Sequence, residues 1–152
     1  MKKILLLISQ ERDNEEALHY CLELACIPEA ELCIAYILDD RFREKYESLL
    51  SESTFVADKP GQDVCAALNE EYQTRGRKIL ETLKAQCVKA NLKCESEFYV
   101  GDYYETAKTL CYELKPVRLV ISERSHSFLR QMMGLSDKKK LEKMTGVEVV
   151  AF

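Results

Sequence analysis

Residues 3–9 read Lys-Ile-Leu-Leu-Leu-Ile-Ser, KILLLIS. Every position from Ile4 to Ile8 is apolar, in a run too short for a helix and without the alternation of a half-wet strand. That pattern belongs to a central strand of a parallel sheet, covered on both faces. Two further runs have the same character, Glu31 to Leu38 (ELCIAYIL) and Val117 to Ser122 (VRLVIS). A fourth, Lys93 to Val100 (KCESEFYV), sets Glu95, Glu97 and Tyr99 against Cys94, Ser96, Phe98 and Val100, so one face tolerates water and an edge position is expected. Val147 to Phe152 (VEVVAF) supplies a fifth strand.

Helical patterns fill the intervals. Asp13-Asn-Glu-Glu16 and Asp102-Tyr-Tyr-Glu105 each set an acid three residues before a glutamate, a capping-box spacing with Asp in the Ser/Thr role. The first opens a helix whose Ala17, Cys21, Leu24 and Ala25 share a face before Pro28. The second opens one with Ala107, Leu110, Cys111 and Leu114 in phase, stopped by Pro116. A longer helix is expected from about Asp63 to Asn91, with Cys65, Leu68, Tyr72, Ile79, Leu83 and Cys87 inward and Gly76 at a close approach. Residues 39–61 break the rhythm and read as a loop or insertion after the second strand. Strands alternating with helices predict an α/β fold, a doubly wound parallel sheet with its first and fourth strands in the middle.

The 152 residues suit one domain with its own core, and 47% hydrophobic with 32% charged residues describes an ordinary globular chain. A net charge of -4 argues against nucleic-acid binding, and no apolar run is long enough for membrane insertion. The apolar stretch at the start ends at Ile8, too short for a signal peptide, so a cytoplasmic location is expected. Seven scattered cysteines, none in a CxxC pair, read as small buried hydrophobes in a reducing compartment, with a thiol sensor as the minority reading.

In a doubly wound sheet the binding crevice lies beyond the carboxyl ends of the central strands, where Ser9-Gln10 and Ser122-Glu-Arg-Ser125 emerge. KILLLIS, the long second helix, YVGDYYETA at 99–107, RLVISERS at 118–125 and GVEVVAF at 146–152, in that order, resemble the universal stress protein family over nearly the whole chain. The resemblance implies a five-stranded sandwich of flavodoxin-like or adenine nucleotide alpha hydrolase-like type, strand order 3-2-1-4-5, usually homodimeric and in one subfamily binding ATP.

The resemblance also implies where this chain departs. ATP-binding members carry an aspartate at the end of the first strand and a loop after the fourth with the pattern Gly, two residues, Gly, nine residues, Gly, then Ser or Thr. Here Ser9 stands in the aspartate's place, Ser125 and Leu135 fall on the second and third glycine positions, and Ser136 keeps the hydroxyl; a shift by one residue recovers Gly134 instead. Glycines in such a loop supply positive φ and let N–H groups approach phosphate. Their replacement leaves Ser122, Ser125, Ser127 and Ser136 as hydroxyl donors among Arg124, Arg130 and Lys138 to Lys140, with a helix expected to begin near Ser136. Candidate nucleotide or anion contacts are therefore Ser9, Gln10, Asp39, Gly101, Ser122, Arg124, Ser125, Gly134 and Ser136.

No catalytic or metal-binding set is expected: His126 has no nucleophile elbow beside it, His19 lies in the first helix, Asp39-Asp40 lacks a third ligand, and Tyr103 and Tyr104 belong to no nucleic-acid motif. An apolar terminal strand at a sheet edge predicts a homodimer through Val147, Val149, Val150 and Phe152. The sequence thus reads as a regulatory or adaptor module with no cofactor, ATP being disfavoured. The alternative is a nucleotide-binding stress protein with an altered phosphate loop and slow hydrolysis or self-phosphorylation.

Overall fold

A computed structural model describes residues 2–9, 15–39, 59–122 and 137–152. In chain order these form β1 (Lys2–Ser9), α1 (Glu15–Ala25), β2 (Ala30–Asp39), α2 (Lys59–Lys89), β3 (Cys94–Gly101), α3 (Tyr103–Leu114), β4 (Arg118–Ile121), α4 (Asp137–Thr145) and β5 (Val149–Ala151). The strands make one parallel sheet of order β3-β2-β1-β4-β5, with β1 in the centre as its composition predicts and β3 at an edge.

The uninterrupted apolar run of β1 divides between two cores by strand alternation. Ile4, Leu6 and Ile8 point to one face with Ala17 and Cys21 of α1 and Leu80, Leu83 and Cys87 of α2. Leu5 and Leu7 point to the other, against Tyr103, Tyr104, Ala107, Leu110 and Cys111 of α3 and Leu141 of α4. Burying a side chain of this size contributes about 1.5–3 kcal/mol, so five in succession outweigh any single cap or ion pair. The strand is therefore central because only a doubly covered position hides all five.

The α3 start follows its expected chemistry. Asp102 sits at φ -68° and ψ 130°, and its side chain accepts from the Glu105 N–H. Asp13 and the cap of α1 lie outside the described residues, as does most of the 39–61 segment. Where that segment is described it differs from the expected loop, because α2 already begins at Lys59. Pro60 is compatible with that start, because in a first helical turn the missing N–H has no intrahelical partner to lose. Glu31, a polar residue 4% exposed in β2, is balanced by Lys93, whose Nζ lies 3.5 Å from Oε1.

Gly76 supplies the close approach anticipated for it. A Cβ there would stand 2.6 Å from Cε1 of Tyr36 and 2.7 Å from Cε2 of Phe98, two rings stacked at 5.3 Å with an 8° interplanar angle. The side chains of Cys65 and Leu68 are outside the described set, and Leu80 joins the inward stripe beside Leu83 and Cys87. The cysteines follow the buried reading at Cys21, Cys33, Cys87 and Cys111, while Cys94 is half-buried. Cys26 departs from it. It is exposed just beyond α1, its thiol turned back on the Leu22 carbonyl at 3.3 Å.

The terminal strand is shorter than expected, pairing only Val149 to Ala151 with Leu119 to Ile121. Val149 is not on the surface. It is 2% exposed within the α3–α4 core, Val147 packs against the same core, and the Phe152 ring lies 5.0 Å from Tyr20 over the opposite one. Of the residues expected at a dimer seam, Val149 is thus in the core for a physical reason, since alternation turns it inward and leaves Val150 on the other side.

Candidate functional site

Because all strands are parallel, Ser9, Asp39, Gly101 and Ser122 gather along one edge of the sheet, at the carboxyl ends of β1 to β4. The register sets Asp39 opposite Gly101 and Ser9 opposite Ile37. Gln10, Arg124, Ser125, Gly134 and Ser136 lie outside the described residues, together with His126.

The four described residues differ in what they can offer. Ser9 is 5% exposed and Ser122 fully buried, and the Ser122 hydroxyl donates to the Phe152 carbonyl at 3.4 Å, toward the end of β5. Asp39 is half-buried and adds a carboxylate. Gly101 does not adopt positive φ, and a Cβ on it would meet Thr106 Oγ1 at 3.4 Å, a close but ordinary contact. Two buried hydroxyls and one carboxylate present no positive charge, so this part of the crevice cannot neutralise a phosphate by itself.

The far side of the crevice is built by two helix starts. α4 begins at Asp137, close to where the sequence places it, and Asp137 is only 7% exposed. Its carboxylate accepts a hydrogen bond from the Tyr104 hydroxyl. Lys140 Nζ lies 3.8 Å from the centre of the same Tyr104 ring, whose edge-on neighbour at 5.5 Å is Tyr103. Tyr103 and Tyr104 are therefore core residues, and neither ring is free to stack on a base. Nothing in the sequence pattern assigns Asp137 a role, and this clasp is missed. An acid at the first position of a helix was the available signal.

His19 is exposed on α1, 3.7 Å from Glu23. Among the described residues no group of three or more His, Cys, Asp and Glu is arranged to hold a metal ion, and no helix is long and apolar enough to cross a membrane.

No protein-family model matches the chain, and no curated protein matches it by sequence. Solved structures do. A universal stress protein from Lactobacillus plantarum superposes with a TM-score of 0.72 at 12% identity, over 99% of this chain and 97% of that one. The chain has the universal-stress-protein fold. A member of that family from Burkholderia pseudomallei aligns at TM-score 0.65 and 18% identity, covering 99% and 95% of the two chains. An Arabidopsis thaliana universal stress protein family protein solved with AMP bound aligns at TM-score 0.62 and 13% identity, covering 100% and 91%. The strand order and the two helical layers are what this chain shares with universal stress proteins. At these identities the likeness is one of architecture.

Proposed function

We propose that this chain is a homodimeric regulatory or adaptor module built on the universal-stress-protein fold, with no tight ATP site. The observation that carries the reading is the make-up of the described crevice: Ser9 and Ser122 are buried hydroxyls, Asp39 is the one carboxylate, and no cation stands among the four strand-end residues. Each directed hydrogen bond missing from a phosphate cradle weakens binding by about 1 kcal/mol, and several together by orders of magnitude. Calorimetry with ATP at low and moderate salt tests this. Affinity is expected to be millimolar or undetectable and to fall as salt rises, whereas micromolar affinity would overturn it.

The second reading is a nucleotide-binding protein with an altered phosphate loop. It is favoured by the AMP bound in the Arabidopsis neighbour, at the cost of a loop that here lacks most of the expected glycines. Titration with AMP separates the two readings, because a monophosphate asks less of the phosphate loop.

The dimer is proposed through the free side of β5. Within the chain β5 pairs with β4 alone among the described strands, so its other backbone edge is the one a second copy would pair with. Val150→Lys is the informative change, since Val149 is buried in the core. Sedimentation should show a dimer at micromolar concentration that the lysine dissociates. A monomer in both proteins refutes the assembly.

A further inference from the structure

A groove of about 760 Å³ runs between α3 and α4, away from the strand-end crevice. α3 starts beside Gly101 at the carboxyl edge of the sheet and is capped at Lys115, two residues before Val117, whose N–H bonds the Lys3 carbonyl at the amino edge. The volume falls within the roughly 300–1,000 Å³ of small-molecule sites. Its floor is apolar, made by Cys111, Met144 and Val147, and Tyr112 stands on its wall 81% exposed. Lys108 and Lys115 flank that floor from α3.

The charge arrangement decides what would fit. Among the described residues, neither the Lys108 nor the Lys115 ammonium pairs with a carboxylate. Glu105 lines the groove toward the start of α3, one turn before Lys108 and far from Lys115. The carbonyl ends of the two helices are partly satisfied by their own chain, through Lys115 N–H to the Cys111 carbonyl at 3.0 Å and Gly146 N–H to the Glu142 carbonyl at 2.9 Å. The groove therefore offers a ligand two cations against one carboxylate, over a hydrophobic floor.

Lys115 is the more telling of the two. It occupies the left-handed region, φ 47° and ψ 55°, at the C-cap of α3, where glycine is the unstrained choice. The residue after it is Pro116, which adds its own restriction on Lys115. The position is costly for any side chain, yet it carries a long cationic one at the groove's edge.

We propose that the α3–α4 groove binds a small amphipathic carboxylate, its head between Lys108 and Lys115 and its apolar body on Met144, Val147 and Cys111 beside the Tyr112 ring. This site does not depend on nucleotide binding at the strand-end crevice. The lysines select the charge, and the methionine and valine accept an aliphatic chain without demanding a fixed shape.

The test uses the whole chain and three probes of equal length below their micelle concentrations: octanoate, octanol and octylammonium. Two-dimensional NMR with methyl-labelled methionine and valine should show saturable shifts at Met144 and Val147 with octanoate. Octanol should bind about tenfold or more weakly, and octylammonium weaker still. Lys108→Gln and Lys115→Gly should each reduce octanoate affinity about fivefold or more while leaving octanol unchanged. Lys115→Gly also relieves the backbone, so a loss of binding in that variant is not a loss of folding. Equal binding of octanoate and octylammonium, shifts elsewhere than the groove, or full affinity in Lys115→Gly would overturn the proposal.

Discussion

At Gly76 a helix propensity and a packing requirement oppose each other. Alanine in a helix is favoured over glycine by about 1 kcal/mol. Its methyl group would nevertheless meet Tyr36 and Phe98 at 2.6 and 2.7 Å, and Tyr36 is 1% exposed with no space to retreat into. Overpacking of a core costs about 1–3 kcal/mol, so packing wins. Gly76→Ala should lower stability by up to about 2 kcal/mol net in urea unfolding, where the same change at an open helical site raises it. Cys111 gives a second residue-scale prediction, read against pH. Burial pushes its thiol up from 9.0 to about 11, against a smaller opposing effect of the hydrogen bond with Thr145. A folded pKa above the unfolded one means the contribution is complete below pH 9 and is lost as pH rises toward 11, because the unfolded chain ionises first. Each pH unit across that window removes up to about 1.4 kcal/mol, so Cys111→Ala should make the alkaline fall in denaturant midpoint visibly shallower there. An unchanged slope would show that the thiol does not carry it.

Between elements, the Tyr104 to Asp137 hydrogen bond fixes the start of α3 to the start of α4. Tyr104→Phe keeps the ring and removes the donor, leaving a carboxylate 7% exposed with one partner fewer. A loss of about 1–3 kcal/mol is expected in chemical unfolding. Arg75→Ala, which breaks an exposed pair to Glu71 at 3.0 Å, is the control and should cost under about 0.5 kcal/mol. Equal effects from the two would mean that burial adds nothing at the clasp. Elements of this chain were legible wherever the pattern was local and repeated. KILLLIS announced a doubly covered strand, Asp102 its capping role, and the alternation of β3 its edge position. The clasp was not legible, because Tyr104 and Asp137 are 33 residues apart and nothing in either neighbourhood points to the other. The buried state of Val149 escaped for a related reason: VEVVAF shows apolar residues on both sides of the strand, and only the packing of α3 and α4 decides which side is covered.

For the molecule as a whole, the fold was readable from the order of elements, while the site was readable only as positions. The parallel sheet brings Ser9, Asp39, Gly101 and Ser122 to one edge, as that order requires. What their hydroxyls and carboxylate do there depends on burial, and Ser122 reaching back to Phe152 has no local trace in the sequence. Sheet order has one further result, which concerns time. β1 is flanked by β2 and by β4, and its register with β4 sets Ile4 beside Arg118. β1 is thus made well before its second neighbour, which comes 114 residues later, 118 less 4. At about 5–20 residues per second of synthesis, one side of KILLLIS waits roughly 6 to 23 s for its partner. Throughout that interval the nascent chain presents an unpaired hydrophobic edge, the kind of surface from which aggregation starts.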